Sequence, residues 1–234
     1  MAQTFTTSGG VDISYSESGP ADGPVLVLLH ALGGSEADWQ PIRPAFEEAG
    51  YRVVGVTLRG HSPSAWPGDY SYQSMFADVV ELLDARHLRR VALLGHSLGG
   101  MVAFRIAVDR PDLVARLIIE DVAPGDPTPP RELPERPAEE LPLDWEMVVA
   151  MRPQIDAGAL ELRERLSQVS APTLIVGGGE TSTVPQAWLR EAAARIPESE
   201  LVTLGGGHYV HDQEPQKFTA TVLDWLGRHP AELF

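Results

Sequence analysis

The chain alternates short apolar runs with longer amphipathic segments over most of its 234 residues. Seven runs have the composition of strands, and several are apolar at every position, as strands covered on both faces must be. They are VDISYSE, PVLVLLH, YRVVGVTL, RRVALLG, ARLIIEDV, PTLIVGG and ESELVTL. Five segments with helical spacing lie between or after them, at 35–48, 72–87, 98–110, 185–196 and 214–228. This order predicts an α/β protein with three layers, in which a mostly parallel sheet lies between helices.

One stretch, residues 124–171, departs from this alternation. Eight prolines fall within it, the last at Pro153, and acidic residues cluster in RELPERPAEELPLDWE. Asp144 can cap a short helix that Pro153 is expected to stop. A second short helix is predicted by an apolar stripe at helical spacing, formed by Leu162, Leu166 and Val169. We therefore expect a core of residues 1–123 and 172–234 with a helical lid at 124–171; a disordered linker is the alternative.

Composition limits the classes of partner and of site. The chain has no cysteine, so disulfides, thiolate nucleophiles and cysteine-based metal sites are excluded. Its net charge of −15 would repel a phosphate backbone and an anionic membrane surface. No apolar run is long enough for a membrane helix, and the first residues lack the pattern of a signal peptide. We expect a cytoplasmic monomer or homodimer that binds neither nucleic acid nor membrane.

The segment Gly95-His96-Ser97-Leu98-Gly99 joins the strand-like run VALL to a helical segment. A serine in a tight turn between a strand and a helix is the setting of a nucleophile elbow. Glycine neighbours let the backbone pass close by, because they have no Cβ atom. Backbone N–H groups at the start of the helix carry partial positive charge and can stabilise an oxyanion. The pattern therefore predicts that Ser97 is a nucleophile.

Four segments taken together resemble the α/β-hydrolase family: LLHALGGS, RGHSPS, GHSLGG and GGGHYVHDQEP, in this order. The resemblance covers nearly the whole chain and implies a mostly parallel, eight-stranded sheet in a three-layer sandwich. It also implies an oxyanion hole made by the backbone N–H groups of Leu32 and Leu98. The family usually has glycine after the histidine of the first segment, and this chain has Ala31 after His30.

A serine nucleophile needs a base, and histidine is the expected one because its pKa lies near neutrality. The resemblance favours His208, which follows three glycines after the last predicted strand. His211, three positions later, is the local alternative.

Two regions of the sequence offer a candidate for the acid that orients the histidine. The family commonly has an aspartate after the penultimate strand, but this chain has Thr181 there and Glu180 one position earlier. A second family arrangement puts the acid after the strand that follows the nucleophile helix, where Asp121 stands. Successive side chains of a strand face opposite ways, so Glu120 and Asp121 cannot both point at His208. Asp121 is favoured, followed by Glu180 and then Glu120.

These residues predict a serine hydrolase that cleaves a small carboxylic ester or lactone through an acyl-enzyme. The segment LLHALGGSEADW is also similar to the corresponding part of enol-lactonases, so a lactone stands beside an open-chain ester. His96, Trp145 and Met151 are candidate pocket residues, although the lid side chains among them could instead pack on the core. No metal or organic cofactor is required, and a small-molecule substrate is the expected partner.

Two other classes of function stay open. A lyase or C–C bond hydrolase could use the same site for proton transfer, since this fold hosts unrelated chemistries. A ligand receptor with a vestigial triad is the third reading, and the presence of Ser97, His208 and a candidate acid argues against it.

Overall fold

The computed structural model describes residues 2–230. Its strands are β1 (Ala2–Thr6), β2 (Asp12–Ser18), β3 (Val25–Leu29), β4 (Arg52–Val56), β5 (Val91–His96), β6 (Val114–Glu120), β7 (Thr173–Gly177) and β8 (Ser199–Thr203). They form one sheet in the order β1-β2-β4-β3-β5-β6-β7-β8. The strands from β3 to β8 pair in parallel, whereas β2 pairs antiparallel with both β1 and β4. The predicted fold class is therefore confirmed.

Strand β1 is absent from the seven strand-like runs read in the sequence. Its residues AQTFT are mostly exposed, because the strand lies at the edge of the sheet. Phe5 is its one apolar side chain packed against the core, so the periodic signal on which strand prediction depends is missing.

The helices are α1 (Arg43–Glu48), α2 (Tyr72–Ala85), α3 (Leu98–Asp109), α4 (Trp145–Asp156), α5 (Leu160–Glu164), α6 (Gln186–Arg195), α7 (Val210–Gln213) and α8 (Pro215–Arg228). Apolar side chains of α2, α3 and α6 pack with one face of the sheet, and those of α1 and α8 pack with the other. Successive side chains of β3 alternate between the two faces. Val27 and Leu29 lie in the core with α2, α3 and α6, and Leu26 and Leu28 lie in the core with α1 and α8. The two cores cover both faces of the sheet, which explains why its central strands are apolar throughout.

Two predicted helices differ from the observed ones. The segment 35–48 is a short 3₁₀ turn, Glu36–Trp39, followed by α1, with Pro41 at the break where an N–H donor is missing. The helix expected to stop at Pro153 instead continues to Asp156. A proline removes one helical hydrogen bond, and here the following residue Gln154 adds a side-chain bond to the carbonyl of Ala150 at 2.9 Å.

Residues 124–171 connect β6 to β7. The chain runs without helix or strand from Pro124 to Asp144 and then forms α4, α5 and a 3₁₀ turn, Leu166–Gln168. Leu162, Leu166 and Val169 are buried, as the apolar stripe predicts. None of the helices within residues 2–230 combines the length and apolar character needed to span a bilayer.

Candidate active site

Ser97 lies in the sharp turn between β5 and α3. Its φ of 49° is positive, a conformation that costs free energy for a residue with a side chain and that is typical of functional sites. A Cβ atom on Gly95 would lie 2.4 Å from the carbonyl oxygen of Gly99. A Cβ atom on Gly99 would lie 2.3 Å from the carbonyl oxygen of Leu29. Both glycines are therefore required by close backbone approach, as the sequence predicted.

We expect Gly99→Ala to lower the free energy of unfolding by about 1–3 kcal/mol, because β3 or the turn must shift to admit the methyl group. Gly227→Ala in α8 is the matched control, because no atom lies within 4 Å of its added Cβ. It should raise the free energy of unfolding by about 0.5–1 kcal/mol. Urea unfolding of the three proteins measures both effects; equal midpoints for Gly99→Ala and the wild type would contradict the close approach.

A continuous chain of hydrogen bonds joins Ser97 to Asp121 through His208. The Nε2 atom of His208 lies 3.0 Å from Oγ of Ser97, and its Nδ1 atom lies 2.9 Å from Oδ2 of Asp121. An ionised carboxylate can only accept, so Nδ1 carries the proton and the lone pair of Nε2 faces the serine hydroxyl. The structure therefore brings together the predicted nucleophile, the predicted base and the favoured acid.

Asp121 is fully buried and hydrogen-bonded at both oxygens. Oδ1 accepts from the backbone N–H of Gly178 at 2.7 Å and from Nε2 of Gln186 at 3.1 Å. Oδ2 accepts from the hydroxyl of Ser182 as well as from His208. Burial by itself raises the pKa of Asp121, but these hydrogen bonds outweigh it and hold the pKa below its ordinary value. The carboxylate stays ionised beside the imidazole.

The alternative acid, Glu180, does not occupy this position. It is exposed on the short turn Gly179–Thr181 and makes no hydrogen bond with His208. The same segment, GGETSTVPQ, instead supplies the hydrogen-bond donors that hold Asp121, among them Ser182 and Gln186. The roles of these two residues were not predicted, because no sequence pattern marks a contact with an aspartate 61 or 65 positions away.

Glu120 and His211 form a second buried pair beside the first. Nδ1 of His211 lies 2.8 Å from both carboxylate oxygens of Glu120, and the backbone N–H of His211 donates to Oε1 at 2.9 Å. Burial opposes both charges, but the electrostatic effect of the neighbouring His96 and the contacts with His211 lower the pKa of Glu120, and the contacts with Glu120 raise the pKa of His211. The pair fastens the chain just after His208 to the end of β6.

His96 also contacts the loop that carries His208. Its Nε2 atom lies 2.7 Å from the carbonyl oxygen of His208. Burial lowers the pKa of His96 to about 4, so the ring is neutral at pH 7 and the proton must be on Nε2 to donate to the carbonyl.

The loop after β3 supplies the second predicted oxyanion donor. The N–H groups of Leu32 and Leu98 make no hydrogen bond with any acceptor in residues 2–230, and both residues line the same cavity as Ser97 and His208. Gly99 donates its N–H to the carbonyl of His30 at 3.0 Å, which holds this loop against the nucleophile turn. Two free N–H groups beside a nucleophile are the arrangement that an oxyanion hole requires.

Two buried histidines hold that loop in place. Nε2 of His30 accepts from the backbone N–H of Leu58 at 2.9 Å, and Nε2 of His61 accepts from the N–H of Gly33 at 3.0 Å. Both roles require a neutral ring. Burial lowers the pKa of His30 to about 3 and also lowers that of His61, so both rings are neutral at pH 7. Ala31, which replaces the usual glycine, is accommodated with its side chain buried.

A cavity of about 700 Å³ opens beside Ser97 and His208. Its walls are largely apolar and include Met101, Val122, Ile155, Val184 and Trp188. A volume of this size suits a small organic molecule.

The structure corrects the predicted pocket residues. None of His96, Trp145 and Met151 is among the described residues that line the cavity. His96 lies beneath His208, Met151 is fully buried in the core, and Trp145 packs against that core. Helix α4 turns its methionine face to the core, so a neighbouring face with Arg152 and Ile155 borders the cavity.

Within residues 2–230, His96, Glu120 and His211 bring their ligand atoms within 4.8 Å of one another, as a metal site would. These ligand atoms already make hydrogen bonds: Nδ1 of His211 bonds to the carboxylate of Glu120, and Nε2 of His96 donates to the carbonyl of His208. These contacts identify the set as a hydrogen-bonded support for the His208 loop.

Comparisons with known proteins agree with this fold. A family model described as alpha/beta hydrolase fold matches residues 24–161. The chain is 32% identical to the "Putative carbamate hydrolase RutD" of Variovorax paradoxus, over 92% of this chain and 96% of that protein. A solved hydrolase from Pseudomonas aeruginosa is 26% identical with a TM-score of 0.82, covering 97% of this chain and 98% of that one. An enol-lactonase from Burkholderia xenovorans is 22% identical with a TM-score of 0.84, covering 96% of this chain and 100% of that one, which is a likeness of fold. This chain belongs to the alpha/beta hydrolase family.

Proposed function

We propose that this protein is a serine hydrolase that cleaves a small carboxylic ester or lactone through an acyl-enzyme on Ser97. The observation that carries the proposal is the hydrogen-bond chain from Ser97 through His208 to Asp121, at the wall of a cavity large enough for a small substrate. Serine, histidine and aspartate in these positions make a neutral hydroxyl nucleophilic near pH 7.

Acylation begins when Oγ of Ser97 attacks the carbonyl carbon of the substrate. Nε2 of His208 takes the hydroxyl proton as the new C–O bond forms, and Asp121 stabilises the imidazolium. The N–H groups of Leu32 and Leu98 donate to the oxyanion of the tetrahedral intermediate. When the intermediate collapses, His208 gives its proton to the leaving alkoxide.

Deacylation repeats these steps with water. His208 removes a proton from the water that attacks the acyl carbon, and the proton then returns to Oγ of Ser97. With a lactone the leaving alkoxide stays attached to the acyl group, so the product is one hydroxy acid. With an open-chain ester the products are an alcohol and an acid.

The proposal assigns residues 124–171 the role of a lid over the site. Arg152, Ile155 and Thr128 of this segment border the same cavity as the nucleophile. A lid that covers bound substrate excludes water from the acylation step and strengthens electrostatic interactions in the site.

The test is labelling with a fluorophosphonate probe together with turnover of p-nitrophenyl esters. We expect stoichiometric labelling and a burst of nitrophenol in the wild type, and neither in Ser97→Ala. Labelling without turnover of esters or lactones would favour the lyase or C–C hydrolase. Folded protein that shows neither response would favour a ligand receptor.

A carbamate is the second candidate substrate, because the relative from Variovorax paradoxus carries that activity in its name. The same nucleophile would form a carbamoyl-enzyme on Ser97, with the same proton transfers. Comparison of kcat/KM for a p-nitrophenyl carbamate and a p-nitrophenyl ester of equal size decides between them.

A further inference from the structure

The part of the cavity wall formed by residues 124–171 contains one arginine that makes no salt bridge with a described residue. Arg131, which also borders the cavity, has its Nε atom 2.7 Å from the carboxylate of Asp156. Asp126 is paired with Arg163 at 2.8 Å. Arg152 makes no salt bridge with any described residue, and its buried Nε atom has no hydrogen-bond partner.

The hydroxyl of Thr128 is a second unused polar group in this wall. Its Oγ1 atom is buried and has no hydrogen-bond partner among the described residues. The backbone N–H of Thr128 donates to the carbonyl of Asp156 at 2.8 Å, which fixes this residue against the last turn of α4. Arg152 lies one helical turn before Asp156, so both unused groups are held near the C-terminal end of α4.

Nε of Arg152 and Oγ1 of Thr128 are both buried, and an unpartnered buried polar group costs free energy. Asp156 attracts Arg152 electrostatically but forms no salt bridge with it, and its oxygens accept from the side chain and the backbone N–H of Arg131. Arg152 thus borders the cavity without a salt bridge to any residue in 2–230.

We propose that Arg152 and Thr128 bind a carboxylate group of the substrate, so that the enzyme cleaves an ester or lactone that also carries a free acid. This inference rests on the proposed ester hydrolysis and names its substrate class. A guanidinium binds a carboxylate through two parallel N–H donors, and the threonine hydroxyl can add a third. One guanidinium without a salt bridge matches the single negative charge of a carboxylate, whereas a phosphate monoester would leave a second charge unpaired.

The net charge of the chain makes this local cation more significant. At −15 the protein as a whole repels anions, so an acidic substrate gains little from long-range attraction. Specificity for an acid must then come from a group inside the cavity, where water screens the charge less.

The experiment compares two substrates that differ only at the distal group: mono-p-nitrophenyl adipate, which has a free carboxylate, and its methyl ester. We expect the wild type to favour the free acid. In Arg152→Gln the ratio of kcat/KM for the acid to that for the methyl ester should fall by about ten- to a hundredfold, mainly through KM. Thr128→Val should lower the same ratio by a smaller factor.

Arg136→Gln is the matched control, because Arg136 is exposed in the same segment and does not border the cavity. It removes the same charge and should leave the ratio unchanged. An equal fall in both glutamine variants would show a nonspecific charge effect and overturn the proposal.

A binding measurement separates this proposal from the failure of ester hydrolysis. Trp188 borders the cavity, so its fluorescence can report binding of monomethyl adipate and of dimethyl adipate to the unreacted protein. Tighter binding of the monoacid by the wild type, lost in Arg152→Gln, supports the carboxylate site even if no ester is turned over. Equal binding in both proteins, or stronger binding of an alkyl phosphate than of the monoacid, would refute it.

Discussion

Asp121→Asn is expected to lower kcat for a p-nitrophenyl ester by about 10⁴-fold, with little change in KM. The carboxylate of Asp121 accepts from Nδ1 of His208, which leaves Nε2 free to take the proton of Ser97. In the variant, the amide oxygen is expected to keep the hydrogen bonds from Gly178 and Gln186, so the amide NH₂ faces the histidine. That NH₂ group favours the tautomer with the proton on Nε2, which cannot act as a base.

Glu180→Gln is the control for this prediction, because Glu180 was the alternative acid and is exposed. It should retain full turnover. Near-ultraviolet circular dichroism must show that Asp121→Asn is folded, since the replaced side chain is fully buried. The assignment of the acid would be wrong if Asp121→Asn kept normal turnover while Glu180→Gln lost it.

The positions of the proposed nucleophile and base were predictable because each stands in a local pattern. Ser97 follows an apolar strand and precedes a helix, and this sequence of elements fixes the turn whatever the rest of the chain does. His208 was found through its glycine-rich neighbourhood and the family resemblance. Prediction of the acid also depended on the alternation of side chains along a strand. Asp121 contacts His208, and its neighbour Glu120 contacts His211.

The substrate pocket was predicted less well, because it depends on how a helix is rotated about its axis. The run DWEMVVAM has apolar side chains on several sides, so its sequence does not say which side meets the core. In the structure Met147 and Met151 pack in the core, and Arg152 and Ile155 line the cavity. Contacts between residues far apart in the sequence could not be predicted either. For example, Ser182 donates to Asp121 although 61 positions separate them.

The hydrogen bond between Glu120 and His211 is another contact between distant parts of the sequence, and it helps to position His208. The two residues are separated by 91 positions, and their pairing was not predicted. Through its backbone N–H and its ring, His211 fixes the loop that carries His208, and the Nε2–H of His96 fixes the carbonyl of His208 itself. These residues touch no substrate in the proposed mechanism, so they act as positioning residues for His208.

Glu120→Gln is therefore expected to weaken both the fold and the reaction, with a pH dependence that identifies the ion pair. The lowered pKa of Glu120 gives stability that is present above its unfolded value of 4.5 and is lost as pH falls through the folded pKa. The raised pKa of His211 gives stability that is present below 6.5 and is lost as pH rises through the folded pKa. The pair stabilises most between these two values.

In urea unfolding, Glu120→Gln should lose about 3 kcal/mol at about pH 5.5, since the charged partner is left buried without its anion. At a pH above the folded pKa of His211 the loss should be smaller, because a neutral His211 can still donate to the amide oxygen. Turnover should fall mainly in kcat at both pH values. Glu139→Gln is exposed, removes the same charge and should change neither quantity. A loss of stability that is the same at both pH values would mean that Glu120 acts through packing alone, and that its charge does not help to position His208.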